Sequence, residues 1–148
     1  METLYRDDIT RIVAEQCHLP KVTIKQVIVD YTEYVYRQTA DKHTVKFIHM
    51  FYIENKENEE HDTFAYVCSE IAKDKTYTGQ MVQNILETYE QCLIDELHKG
   101  NSISIYGVAK VSKTPTLRIR KSSRLANQGY RVKATRWLRK EINDREDT

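Results

Sequence analysis

Residues 8–53 have the sequence DITRIVAEQCHLPKVTIKQVIVDYTEYVYRQTADKHTVKFIHMFYI, and residues 66–111 repeat their pattern of apolar and polar positions at a constant offset of 58. Among the paired positions used here, only Ala14/Ala72 and Tyr31/Tyr89 are identical. The repeat therefore concerns which positions are apolar, and it indicates a duplicated structural unit. The other pairs are Ile9/Val67, Val13/Ile71, Leu19/Tyr77, Val27/Ile85, Ile28/Leu86, Val35/Leu93, Val45/Ile103, Phe47/Ile105 and Ile53/Val111.

The size and composition of the chain limit the class of protein to which it can belong. With 148 residues, of which 40% are hydrophobic, each copy alone would bury too little apolar surface, so we expect the two halves to share one core. No apolar run approaches the roughly 18 residues of a membrane span, and the first residues lack the basic and apolar regions of a signal peptide. The three separated cysteines, Cys17, Cys68 and Cys92, favour reduced thiols and a cytoplasmic protein.

The net charge of +1 conceals a sharp partition along the chain. Residues 1–109 contain 11 Lys/Arg and 18 Asp/Glu, a net charge of −7. Residues 110–140 contain 11 Lys/Arg and no acidic residue, and the last eight residues carry −3. Because the positive charge is concentrated in one segment, we expect the partner-binding surface to lie there.

Hydrophobic periodicity predicts two helices and a strand or short hairpin in the first copy. The first helix begins near Asp7 or Asp8 as a cap and ends at 18–20. Thr23 is the predicted cap of a long helix that reaches about Thr39. Alternating apolar residues over 45–53 predict the strand or hairpin, and the acidic stretch 56–62 predicts a linker.

The second copy repeats this order with different boundary residues. Thr78 is the predicted cap of its long helix, Gly100 is placed to end it, and Gly107 suggests a bulge or a close backbone approach in the following strand. Beyond residue 111 the copies diverge. We predict a hairpin over 110–120 with a turn at Pro115, a polar loop over 121–130, and a last helix over 134–143 whose buried face carries Trp137, Leu138 and Ile142.

Three stretches of this layout resemble the bacterial HU/IHF histone-like family. Residues 8–19 resemble its first helix and turn, and residues 97–109, LHKGNSISIYGVA, resemble its run from the long helix into a glycine-containing strand. Residues 132–138, VKATRWL, resemble the entry to its last helix. Together the resemblance extends over nearly the whole chain.

Members of that family are dimers whose helices form a common base and whose β-arms embrace DNA. The resemblance implies an α+β fold in which two tandem HU/IHF-like units form an intramolecular pseudo-dimer, with a helical base, a small antiparallel sheet and one short basic β-arm. The units are an armless first repeat over 1–55, the acidic linker 56–62, and a second repeat over 63–148. The second repeat carries the arm over 110–132 and the C-terminal helix over 134–143.

The candidate nucleic-acid-binding residues are the basic side chains of the acid-free segment, because phosphates attract Lys and Arg regardless of base sequence. A solvated basic face, or a dock for an acidic protein surface, is the alternative interpretation of the same charges. Pro115 is a possible arm-tip wedge between base pairs, and most tyrosines are expected to pack in the core. The basic residues are Lys110, Lys113, Arg118, Arg120, Lys121, Arg124, Arg131, Lys133, Arg136 and Arg139.

No pattern in the chain indicates an enzyme, a cofactor or a metal site, because the five histidines lack ligand spacing and no phosphate-binding loop is present. The leading hypothesis is an architectural, largely sequence-independent protein that binds double-stranded DNA through its phosphates, in a bacterial nucleoid or an infected host cell. The alternative is a structural protein of a tailed bacteriophage virion. Such a protein would use the same fold in a head-to-tail connector ring, with other virion proteins or copies of itself as partners.

Overall fold

The structure is a computed structural model that describes residues 2–113 and 130–134, with the backbone alone at residues 113, 130, 131 and 134. The first copy forms a two-residue strand, two helices and a hairpin. Their bounds are β1 (Thr3–Leu4), α1 (Arg6–Cys17), α2 (Lys21–Ala40), β2 (Val45–Phe47) and β3 (Phe51–Ile53).

The second copy repeats the helix, helix and hairpin and then adds one strand. Its elements are α3 (Phe64–Ala72), α4 (Gly79–His98), β4 (Ser102–Ile105), β5 (Ala109–Lys113) and β6 (Tyr130–Ala134). Within the described ranges the fold is therefore α+β, as predicted, with four helices, a four-stranded sheet of order β1-β4-β5-β6 and a two-stranded sheet of β2 and β3. The larger sheet is mixed and not purely antiparallel, because β1 joins β4 in parallel.

The duplication extends to the register of the strands. An offset of 58 carries the bounds of α2 onto those of α4. The same offset carries the pair Val45↔Ile53 onto Ile103↔Val111, and Phe47↔Phe51 onto Ile105↔Ala109. The two hairpins are thus built with one register, so the apolar positions of both copies point to the same side of their sheets.

The ends of the two long helices also carry equivalent hydrogen bonds. The His43 amide donates to the Gln38 carbonyl at 3.0 Å, and the Asn101 amide donates to the Glu96 carbonyl at 3.1 Å. Gly100 follows α4 with φ 92°, which confirms its predicted place at the helix end. Its counterpart Lys42 adopts φ 66°. This left-handed conformation is strained for lysine but not for glycine.

The starts of the helices confirm one predicted cap and correct two others. The Thr78 hydroxyl accepts a hydrogen bond from the Met81 amide at 3.2 Å, as expected of a cap. Helix α1 begins at Arg6, before Asp7, and the Asp8 carboxylate instead accepts from the Tyr5 amide at 2.9 Å. Thr23 lies inside the first turn of α2, because Pro20, with φ −60°, already directs the chain into the helix.

Two predictions for the second hairpin were wrong. Gly107 lies in the turn between β4 and β5 with φ 75°, and an added Cβ would meet nothing within 4 Å. It therefore serves the turn and marks neither a bulge nor a close backbone approach. Strand β5 pairs with β4 on one side and β6 on the other, so residues 130–133 are the partners of residues 110–113. The predicted partners, residues 117–120, lie outside the described residues. Ala134 ends β6, so the predicted last helix does not begin there.

The copies share one core. The segment before the first helix of each copy also contacts the hairpin of the other copy. Helix α4 contacts α1, α2 and α3, and a single cluster of buried residues includes side chains from both copies. The Ser102 amide donates to the Glu2 carbonyl at 2.8 Å, while the Thr44 amide, one repeat earlier, donates to the Asn58 carbonyl at 3.2 Å. Each hairpin is thus flanked by the segment that precedes the other copy's first helix, as the shared-core expectation requires.

Tyr31 holds the turn of the first hairpin against the core. Its hydroxyl accepts a hydrogen bond from the Ile48 amide at 2.7 Å and lies 3.4 Å from the Lys46 carbonyl. Ile48 is β-branched and adopts φ 48°, a conformation that such residues rarely take. Burial of both side chains and the bond from Tyr31 hold it in place, and burial also raises the pKa of the Tyr31 hydroxyl.

We therefore expect Tyr31→Phe to lower the free energy of unfolding by about 1–3 kcal/mol, because the buried Ile48 amide loses its acceptor. Urea denaturation measures the change. Tyr66→Phe, at a residue that is 51% exposed, is the matched control and should leave stability nearly unchanged. Equal effects of the two substitutions would contradict the role given to Tyr31.

Candidate nucleic-acid interface

The larger sheet has one face in the core and one face in solvent. Ile103, Ile105, Ala109 and Val111 are buried, and Val132 packs against them. Side chains alternate across a strand, so the residues between them lie on the opposite face. Lys110 and Lys133, which are both exposed, belong to that outer face.

These two lysines are directly opposite each other in the register of β5 and β6. Neither forms an ion pair with any residue that the structure describes. Like charges directly opposite each other on a sheet are destabilising. The pair is therefore an unbalanced positive site whose repulsion a bound anion would relieve.

The described strands around the pair carry hydroxyl groups and no carboxylates. Ser104 is opposite Lys110 on β4, and Ser112 is the register partner of Arg131. The sequences of β4, β5 and β6 contain no Asp or Glu. Serine hydroxyls and basic side chains are typical donors to phosphate oxygens, so this face has the chemistry of a phosphate-binding surface.

The structure brings together part of the predicted site. Lys110 and Lys133 meet on the outer face, and Lys113 and Arg131 occupy register positions on the same two strands, opposite Tyr130 and Ser112. The remaining predicted residues lie outside the described ranges: Pro115, Arg118, Arg120, Lys121, Arg124, Arg136 and Arg139.

The equivalent face of the first copy is different. Lys46 is opposite Tyr52, and its ammonium lies 5.7 Å from the centre of the Tyr52 ring. The same ring packs edge-on against His61 at 5.6 Å. His61 belongs to a stretch that also carries Glu57, Glu59, Glu60 and Asp62, so the segment beside this hairpin is acidic. The duplication therefore supplies one basic face and not two.

Sequence reasoning missed Ser104 and Ser112 as members of this face. The available signal was the alternation of Ser and Ile over Ser102–Ile105, which places the serines opposite the buried isoleucines. The pairing of Lys110 with Lys133 had no such signal, because it depends on which later segment pairs with β5.

The buried tyrosines and cysteines have few of the properties of binding or reactive groups. Tyr31 and Tyr89 are buried, and the half-buried Tyr34 donates its hydroxyl hydrogen bond to Asp62. Burial raises the pKa of the Cys68 and Cys92 thiols to about 11, with nearby carboxylates adding to the effect. Thiols with such pKa values are largely protonated at neutral pH and poor nucleophiles. Among the described residues no group of His, Cys, Asp and Glu could hold a metal ion.

Comparisons with known proteins add no information about this site. A scan against protein-family models and searches of curated proteins and of solved structures found no match to this chain. None of the described helices is both long and apolar enough to cross a membrane.

The like-charge pair leads to a prediction about stability. Lys133→Glu should raise the free energy of unfolding at low salt by about 0.2–1 kcal/mol, because repulsion across the strands becomes attraction. Added salt should reduce the gain. Lys56→Glu makes the same charge change within the acidic linker and should give no gain. Urea unfolding at low and high salt measures both, and a loss of stability in Lys133→Glu would contradict the analysis.

Proposed function

We propose that this chain is an architectural, largely sequence-independent DNA-binding protein of the HU/IHF type. The observation that carries the proposal is the exposed Lys110 and Lys133 pair on an acid-free sheet face. Strand β6 carries basic residues at alternating positions, Arg131 and Lys133, beside Lys110 of β5, and a row of positive charge along a strand suits a phosphate backbone. Phosphate contacts do not read bases, so binding is governed by charge and salt.

The scaffold of the proposal is an intramolecular pseudo-dimer. Its support is the equal register of the two hairpins and the contact of α4 with both α1 and α3. The contacts at Ser102 and Thr44 add to it, because β1 of the first copy joins the sheet of the second, and the segment before α3 bonds to the start of the first hairpin. A chain built in this way would contain both halves of a base that members of the HU/IHF family form from two chains.

The proposed arm is the segment that joins β5 to β6. The two strands lie side by side where the chain leaves at Lys113 and returns at Tyr130. Residues 114–129 between them contain four basic residues and no acidic one. In this proposal the segment carries Arg118, Arg120, Lys121 and Arg124 to the phosphates beyond the sheet, and Pro115 is the candidate wedge. The protein would act in a bacterial nucleoid or an infected host cell.

The test is a titration of duplex DNA at increasing salt. If about six phosphates are contacted, affinity should fall on the order of 10³-fold between 50 and 200 mM salt, because each contact releases counterions. Two duplexes of unrelated sequence should bind with similar affinity. Binding that is insensitive to salt, or no binding at low salt, would contradict the proposal.

A double variant locates the interface. Lys110→Glu combined with Lys133→Glu keeps a like-charge pair at this position and reverses only its sign, so stability should change little. We expect a large loss of DNA affinity and a decrease of about 1–2 in the salt slope. Lys56→Glu combined with Lys21→Glu makes the same change of net charge at exposed positions away from the sheet. Equal losses in the two double variants would mean that net charge alone governs binding.

A second candidate function is a structural role in a tailed-phage virion, as a component of a head-to-tail connector ring. The net charge of −7 over residues 1–109 and the acidic segment beside the first hairpin favour it, because both oppose wrapping by DNA. In this case the basic face binds an acidic surface of another virion protein or of a second copy.

The two functions differ in assembly. A ring component should elute as a large oligomer in size-exclusion chromatography with light scattering and give closed rings by electron microscopy. A chain that stays monomeric and shifts a DNA band would select the DNA-binding role instead.

A further inference from the structure

A groove lies beside the turn that joins β4 to β5, on the side of α1 and α2. Its volume is about 330 Å³, and its lining is mainly apolar and aromatic, with the guanidinium groups of Arg6 and Arg37 and the carboxylate of Glu33. Val29, Tyr36, Tyr106 and Gly107 also line it. Because two guanidinium groups face one carboxylate, a groove of this composition fits an apolar side chain that is accompanied by a hydrogen-bond acceptor.

Arg6 is incompletely satisfied in this groove. Its guanidinium lies over the Tyr106 ring at 4.7 Å, but its Nε is buried and has no hydrogen-bond partner among the described residues. Tyr106 is 59% exposed although it is a large aromatic residue. An unpaired buried donor costs free energy, so an occupant that supplies an acceptor and covers the Tyr106 ring would be favoured.

The equivalent place beside the first hairpin, formed with helices of the second copy, is filled by side chains. An offset of 58 relates Arg6 to Phe64, Gly107 to His49, and Thr32 to Glu90. There His49 packs on Phe64 with ring centres 5.0 Å apart, and the His49 amide donates to the Glu90 carboxylate at 3.1 Å. In the groove beside the second hairpin Gly107 has no side chain and Thr32 is shorter than Glu90. The groove thus lacks an aromatic ring and a carboxylate that are present beside the first hairpin.

The geometry of β6 directs the end of the chain to this groove. Strand β6 runs antiparallel to β5 and ends at Ala134, opposite Ala109, which is two residues beyond Gly107. The segment 135–148 therefore starts next to the groove. It contains the apolar residues Trp137, Leu138 and Ile142, and it carries the carboxylates of Glu141 and Asp144 close to them in sequence.

We propose that the C-terminal segment 135–148 of the same chain docks in this groove. Its Trp137 and Ile142 side chains cover Tyr36 and Tyr106, and a carboxylate or carbonyl of the segment accepts from Arg6 or Arg37. A second copy of the chain is the less favoured occupant, because the segment is tethered beside the groove and its effective concentration there is in the millimolar range. The inference does not depend on DNA binding.

Trp137 is the only tryptophan of the chain, so its fluorescence reports on the docked segment alone. In the full-length protein we expect blue-shifted emission and slow quenching by acrylamide, both independent of protein concentration. Tyr36→Ala with Arg37→Glu should shift the emission to the red and raise the quenching constant severalfold. Tyr66→Ala, at an exposed residue of α3 outside the groove, should change neither.

A second pair of variants leaves the body of the protein intact. Ile142→Asp should release the segment and give the same red shift, while Asn143→Asp adds the same charge one residue later and should not. Far-UV circular dichroism verifies that each variant is folded. Tryptophan emission as exposed as that of the denatured protein would overturn the proposal. Protection that appears only at high protein concentration would also overturn it, since the occupant would then be a second copy.

Discussion

The two copies of the repeat bury their apolar side chains in one common core, and the rest of the structure depends on this constraint. Helix α4 buries one side against α3 of its own copy and another against α1 of the other copy. The buried cluster is consequently continuous across the copies. Small units with divided cores are marginal alone, so the duplication is stable because each copy completes the other.

A shared core constrains the buried positions and leaves the outer ones free to change. Phe47 and Ile105 are equivalent and both buried, and so are Tyr31 and Tyr89. On the outer face, by contrast, the pair of Lys46 with Tyr52 corresponds to the pair of Ser104 with Lys110. Surface substitutions away from special features usually change stability little. The two faces have therefore diverged in charge while the hairpins kept the same register.

Two local costs distinguish the surroundings of the second hairpin from those of the first. One is the repulsion between Lys110 and Lys133, and the other is the buried Nε of Arg6, which has no partner among the described residues. Beside the first hairpin the equivalent places hold a tyrosine ring next to Lys46 and the Glu90 carboxylate next to the His49 amide. Proteins retain such local conflicts where a partner or another segment relieves them. Both features thus lie where the proposals place a binding event, one with phosphates and one with the end of the chain.

The sequence by itself determined the helices, the hairpins and the partition of charge, because these follow from local periodicity and composition. The long helices, the buried faces and the Thr78 cap were predicted from spacings within one or two helical turns. One local prediction failed, because Thr23 resembles a cap although the helix already begins after Pro20, within the same turn.

Only the tertiary structure decided which strands pair. Residues 117–120 and Tyr130–Ala134 both alternate apolar and basic residues, and local pattern does not distinguish them as partners of β5. The longer connection to β6 costs little more entropy, since the cost of closing a loop rises only slowly with its length. That pairing places Lys133 opposite Lys110 and ends β6 opposite Ala109. The basic residues were therefore evident from composition, whereas their arrangement as a surface required the fold.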